Sequence, residues 1–160
     1  MDKKLFASTF KPFLCGFLIG NVLAVTSFTA SAGSYASGIN GYFDANNVNY
    51  YSYNTIYTGL DVNNKKFAMA MHNVSATNVS SLFAGQVGVQ PILVYDSGSV
   101  AKYGDWKYNT AGGTGYGSST TLRGFTSSTA YYSHGLVKAW NGTGYWTFGT
   151  FRSPSLNDFT

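Results

Sequence analysis

Beyond residue 32 the chain has no cysteine, and nowhere does it have a glutamate. The first absence excludes a disulfide framework, the common support of small secreted domains. The 128 residues from Gly33 to Thr160 can bury enough apolar surface without one. The second absence argues against long surface helices, which draw on Glu and Lys. Charge is sparse and scattered. From Gly33 on, Lys65, Lys66, Lys102, Lys107, Arg123, Lys138 and Arg152 stand against Asp44, Asp61, Asp96, Asp105 and Asp158. No basic patch forms, so nucleic acid is not an expected partner. The only histidines are His72 and His134. With no cysteine and no HxxxH spacing they make no zinc set, and no metal or other cofactor is expected.

The N-terminus is different. Lys3, Lys4 and Lys11 precede an apolar stretch, Phe13 to Phe28, that ends at Ala30-Ser31-Ala32. A basic start, an apolar middle and an A-x-A end are the parts of a secretory signal. The stretch is short for a spanning helix and is interrupted by Gly16, Gly20 and Asn21. Residues 1–32 are therefore expected to be a cleaved signal peptide, and 33–160 a single secreted domain. Cys15 follows Phe13 and Leu14 rather than small residues, so it reads as part of the signal and not as a lipid anchor. No later run approaches membrane length, so no stable membrane insertion is expected after cleavage. Export without cysteines fits a Gram-positive bacterium and an extracellular product.

The remaining chain is rich in Tyr, Thr, Val, Phe, Ser and Gly, the residues of strands and turns. Short alternating runs recur between Gly, Asn and Ser, which predicts an all-β domain, an antiparallel β-sandwich. Residues 33–49 read as an irregular leader or a first edge strand. Strands are expected at Tyr50–Tyr57, Lys66–Val74, Pro91–Tyr95 and about Val100–Tyr108, with short ones at Leu122–Phe125 and Ala130–Tyr132. A helix competes for Lys66–Val74, because Ala and Met are good helix formers. Asn78–Gly85 is left as a loop or one helical turn, and Gly112–Ser119 as a Gly/Ser loop.

Asn141-Gly142, between Leu136–Trp140 and Tyr145–Phe151, predicts a hairpin. A turn of two or of four residues gives the same parity. Lys138, Trp140, Tyr145 and Thr147 share one face, and Val137, Ala139, Trp146 and Phe148 the other. The second set is the more apolar and is assigned to the core. Pro154 ends the last strand.

Candidate chemistry is thin, and no catalytic residue is assigned. Asp96-Ser97-Gly98 matches half of an aspartic protease pair, which needs two carboxylates; it reads as a turn. The glycines of 112–117 lack the following helix that a phosphate loop requires. Ser133 beside His134 does not make a triad without an orienting acid. Asp44 with Asn46 and Asn49, and Asp61 with Asn63 and Asn64, read as Asx turns, with a weak calcium site as the competing reading.

Aromatics are the surplus. Tyr, Trp and Phe make up 23 of the 128 residues from Gly33 on, more than a core of this size needs. Rigid amphipathic rings left at a surface make binding sites. Trp140 and Tyr145, beside Lys138, are the candidate ligand platform, for a cell-surface glycan or protein. The competing role for these rings is cross-strand pairing within the sheet. The run Tyr131-Tyr132-Ser133-His134-Gly135, with the export signal, resembles small secreted β-protein bacteriocins over a few residues. The expectation is a secreted, non-catalytic binding or interaction protein of a cell surface or extracellular matrix. An antibacterial protein of bacteriocin type is the alternative, and weakly charged Tyr-rich strands leave room for self-association.

Overall fold

A computed structural model describes residues 31–159. The expected signal peptide lies almost wholly outside them. The described chain has no helix: ten strands form two antiparallel sheets packed face to face, the expected sandwich. Correspondingly, no helix among the described residues is long and apolar enough to cross a membrane.

One sheet holds β1 (Ser31–Ser37), β2 (Gly41–Ala45), β3 (Val48–Leu60), β4 (Lys66–Ala76) and β8 (Gly115–Arg123). Its order is β1-β3-β4-β8, with β2 also paired to β3. The other holds β5 (Val87–Tyr95), β6 (Val100–Tyr103), β7 (Lys107–Tyr108), β9 (Tyr131–Trp140) and β10 (Tyr145–Gly149). Its order is β10-β9-β5-β6, with β7 also on β5. We call them the β3 sheet and the β5 sheet.

Strand parity follows burial. On β3, Tyr50, Ser52, Asn54, Ile56 and Thr58 are buried, while Tyr51, Tyr53 and Tyr57 between them are partly exposed. Lys66–Ala76 is a strand and not a helix. It sits between β3 and β8, where both neighbours offer ladder partners. Ala68, Ala70, His72 and Val74 face inward.

The interior has two apolar clusters. Tyr50, Val74, Val87, Val89, Val137 and Leu82 anchor one; Ile56, Ala68, Leu93, Tyr131 and Phe159 anchor the other. Between them runs a buried polar row: Asn54 pairs with His72 and His72 with Ser118 across the β3 sheet. All of these residues lie beyond Gly33, so the chain from Gly33 onward carries its whole described core.

Several expectations change. Residues 33–49 are not an irregular leader: 33–37 lie in β1, the first edge strand of the alternative reading, and the rest form β2 and the start of β3, joined as a hairpin. Asn46 and Asn47 turn that hairpin at φ 50° and 61°, the left-handed pair of a two-residue type I′ turn. The Gly/Ser loop shrinks to residues 111–114, and Gly115–Ser119 belongs to β8. Glycines at 115 and 117 stay in the strand because the Ser75 and Asn73 side chains occupy the space over them. The strand expected across 100–108 breaks into β6 and β7 at Gly104–Trp106. The two short runs around 131 and 136 join as β9. The last strand stops at Gly149, before Phe151 and Pro154.

The Asx turn at Asp61 is present, its Oδ1 accepting from the Asn63 and Lys65 amides. These two amides, with Arg123 at 3.6 Å, hold the Asp61 carboxyl below its ordinary range. Asp96-Ser97-Gly98 turns the chain from β5 into β6, with Gly98 at φ 92°.

Candidate functional site

The β9–β10 hairpin closes with a four-residue turn, and its register pairs Trp140 with Tyr145, Lys138 with Thr147 and Val137 with Phe148. Asn141 builds the turn: its Oδ1 accepts from the Thr143 and Gly144 amides. Lys138, Trp140 and Tyr145 therefore share the outer face of the β5 sheet, as the sequence predicts.

The core assignment of the opposite face holds for Val137 and Ala139, both buried, and for Phe148, stacked on Phe43 at 4.4 Å. It fails for Trp146, which is 52% exposed. Trp146 has the right parity, opposite Ala139, but β10 ends its sheet and has β9 on one side only. An indole on such an edge lies half in solvent.

Sequence reasoning missed two members of the outer cluster. Gly88 lies between Lys138 on β9 and Tyr108 on β7. The Tyr108 ring lies across Gly88, where a Cβ would come within 2.6 Å of it. Strand glycines mark such close approaches. From there Tyr108 reaches Tyr145 at 5.5 Å and Trp106 at 6.4 Å. Lys138 sets its ammonium 4.5 Å from the Trp106 ring centre, and Trp140 meets Tyr145 edge-on at 5.5 Å. The sequence signal was Trp106-Lys107-Tyr108, an alternating aromatic pair; only the strand order shows that it lands beside Lys138.

The cluster is held from below and left open above. Tyr145 donates its hydroxyl to the Gly85 carbonyl at 2.5 Å, tying β10 to the loop before β5. Tyr108 and Tyr145 remain 38% and 41% exposed. Their rings and the indoles of Trp106 and Trp140 form a rigid surface with one cation, already engaged by a ring. Such a surface suits a weakly charged partner with alternating apolar and hydroxyl-bearing faces.

The histidines do not join it. His72 is fully buried between the sheets; neither ring nitrogen makes a well-formed hydrogen bond, and the Gln90 main chain offers only a weak one. Burial lowers its pKa to about 4; nearby His134 adds to this, and the Gln90 main chain offsets part. His134 lies on the other face of β9, half-buried, with its pKa also lowered by burial. The alternation of β9 turns Ser133 inward and His134 outward. Among the described residues no three His, Cys, Asp or Glu side chains gather where a metal ion could be held.

A second set of rings covers the outer face of the β3 sheet. Tyr51 stacks on Tyr53 at 6.4 Å, Tyr35 on Tyr57 at 5.8 Å, and Tyr42 leans on Tyr51. These are cross-strand and same-strand pairs of the kind that stabilise a sheet. Comparison with known proteins yields no matching family model and no similar curated protein, so the surfaces of this chain are read from their own chemistry.

Proposed function

We propose that this protein is exported and acts outside the cell as a non-catalytic binding module, its ligand a glycan of a bacterial surface. The observation that carries the reading is the open cluster of Trp106, Tyr108, Lys138, Trp140 and Tyr145. A sugar ring has an apolar C–H face for an aromatic ring and hydroxyls for Tyr and main-chain groups, and it needs no countercharge. Export is supported by the basic, apolar and A-x-A segments of residues 1–32. β1 pairs with β3 from Ser31, with an irregularity between Ser31 and Gly33 and a regular ladder after Gly33. A cut before Gly33 leaves that regular ladder intact.

The test is a pull-down of residues 33–160 with bacterial cell walls and with intact cells. Trp140→Ala and Trp106→Ala should each weaken retention by about tenfold or more, the size of a hot-spot truncation. Tyr145→Phe, which loses the Gly85 anchor but keeps the ring, should weaken it less than Tyr145→Ala. Retention unchanged in the variants would move the site elsewhere. No retention on any wall would end the reading, and clearing of a bacterial lawn by the protein would put the antibacterial one in its place.

A further inference from the structure

Sheet edges invite pairing with other chains, and this fold blunts most of its own. The β6–β7 edge is short, is broken at Gly104–Trp106 and carries Lys102, Asp105 and Lys107. The β10 edge is five residues long. On the β1 side the C-terminal tail folds over: the Arg152 main chain packs on Gly38, and Ser34 donates to the Asp158 carboxylate.

β8 is different. It ends its sheet, with β4 on one side only. It runs nine residues, GYGSSTTLR, with no proline and one charge at its end. Ala76 N–H bonds Thr114 C=O and Gly124 N–H bonds Lys66 C=O at the two ends of its ladder. Even-numbered residues of β8 thus face β4, and the N–H and C=O of Gly117, Ser119 and Thr121 point to the open side. Lys102 confirms the direction, its ammonium reaching from β6 to the Thr121 carbonyl at 2.7 Å.

We propose that β8 pairs with β8 of a second copy of this chain, antiparallel about a two-fold axis at Ser119. In that register Ser119 meets its own image, Gly117 meets Thr121 and Gly115 meets Arg123. Edge-facing residues then oppose edge-facing residues, as a hydrogen-bonded antiparallel pair requires. On the outer face the side chains are small or absent at every position but Arg123, which is opposite a glycine. On the inner face Tyr116 meets Leu122 and Ser118 meets Thr120, apolar on apolar and hydroxyl on hydroxyl. No like charges oppose. A slip of two residues sets Tyr116 against Thr120 and loses the match. The strand is self-complementary in one register, the condition for a closed two-fold pair rather than an open chain. Lys102 acts as a guard, since its bond to Thr121 must be released first. This contact lies on the β3 sheet and does not depend on the aromatic cluster or its ligand.

Sedimentation equilibrium of residues 33–160 over rising concentration tests it. The unaltered protein should pass from monomer to dimer. Ser119→Lys and Ser119→Asp each set a charge against its own image, and each should weaken association by about tenfold or more. Their side chains enter the exposed outer face, so melting should barely change. An equal mixture of the two should dimerise again, because opposite charges then meet on the axis. Lys102→Ala should dimerise at lower concentration than the unaltered protein. A monomer at every concentration, with and without Lys102, overturns the proposal. So does a dimer indifferent to the Ser119 changes, or a mixture that stays monomeric.

Discussion

The imidazole of His72, on one sheet, occupies the space that a side chain at position 135 of the other sheet would fill. A Cβ on Gly135 would lie 2.1 Å from His72 Nδ1 and 2.7 Å from its Cγ. The sheets therefore close over the polar row only because residue 135 is glycine. Gly135→Ala should force the ring or the β9 backbone aside and cost about 1–3 kcal/mol, the usual penalty of overpacking. A thermal melt measures it, and an unchanged midpoint would mean that the row has room to spare.

His72 also sets an acid limit on the fold. Unfolded, it takes up a proton near pH 6.5; folded, only near pH 4. The unfolded chain binds more protons between these values, so stability is full above pH 6.5 and falls as pH drops toward 4. The whole difference approaches about 3 kcal/mol at 1.36 kcal/mol per pH unit. His134, packed nearby and shifted the same way, adds in the same direction. Asp61 is held low and acts only below the carboxylate range. Denaturant melts from pH 7 to 4 should show the decline, and His72→Leu should flatten most of it. Equal slopes in the two proteins would assign the acid sensitivity elsewhere.

The strands that could be read from the sequence are those whose signal is local. The β9–β10 parity followed from Asn141-Gly142 and a period of two, and β5 from an apolar run between turns. The β2–β3 hairpin was hidden because Asn46-Asn47 is a weaker signal for left-handed turn residues than Asn-Gly. The Gly-rich start of β8 looked like a loop because the side chains that fill its glycine positions, Ser75 and Asn73, come from another strand. The candidate site divides in the same way. Lys138, Trp140 and Tyr145 are neighbours through one turn. Trp106 and Tyr108 join them only because β5 lies between β9 and β7, a relation across the sheet that no local pattern encodes. Trp146 shows the remaining limit: parity gives the face, but the place of a strand in its sheet decides whether that face is covered.

The Gly88–Tyr108 contact gives a way to disturb the cluster without touching its rings. Gly88→Ala places a methyl 2.6–2.8 Å from Tyr108 ring atoms, and the ring must swing off the sheet. Tyr108 is partly exposed and has somewhere to go, so the stability cost should stay near about 1 kcal/mol, the low end for overpacking. If the cluster binds the ligand as one surface, cell-wall retention should fall as it does for Trp106→Ala. Retention at the unaltered level would separate Tyr108 from the binding surface.

The C-terminal tail is held by a buried amide. Asn54 Nδ2, inside the β3 sheet, donates to Thr150 Oγ1 at 2.6 Å and to the Phe151 carbonyl at 2.7 Å. Further along, Ser153 Oγ accepts from the Ser133 amide at 2.8 Å, Leu156 exchanges main-chain bonds with Tyr131, and Phe159 enters the core. The tail thus covers one flank of the sandwich and leaves the β8 flank open. Asn54→Ala leaves the Phe151 carbonyl without this donor and Thr150 Oγ1 with only its bond to the Gly135 carbonyl, and should cost about 1–3 kcal/mol. Its local effect should be larger than its global one, because the tail loses its first anchor while the sheets keep theirs. Arg152, exposed just after that anchor, makes the difference measurable. Trypsin under native conditions should cut after Arg152 faster in Asn54→Ala than in the unaltered protein, by more than the change in overall stability accounts for. Equal cutting rates would mean that Ser153, Leu156 and Phe159 hold the tail without Asn54.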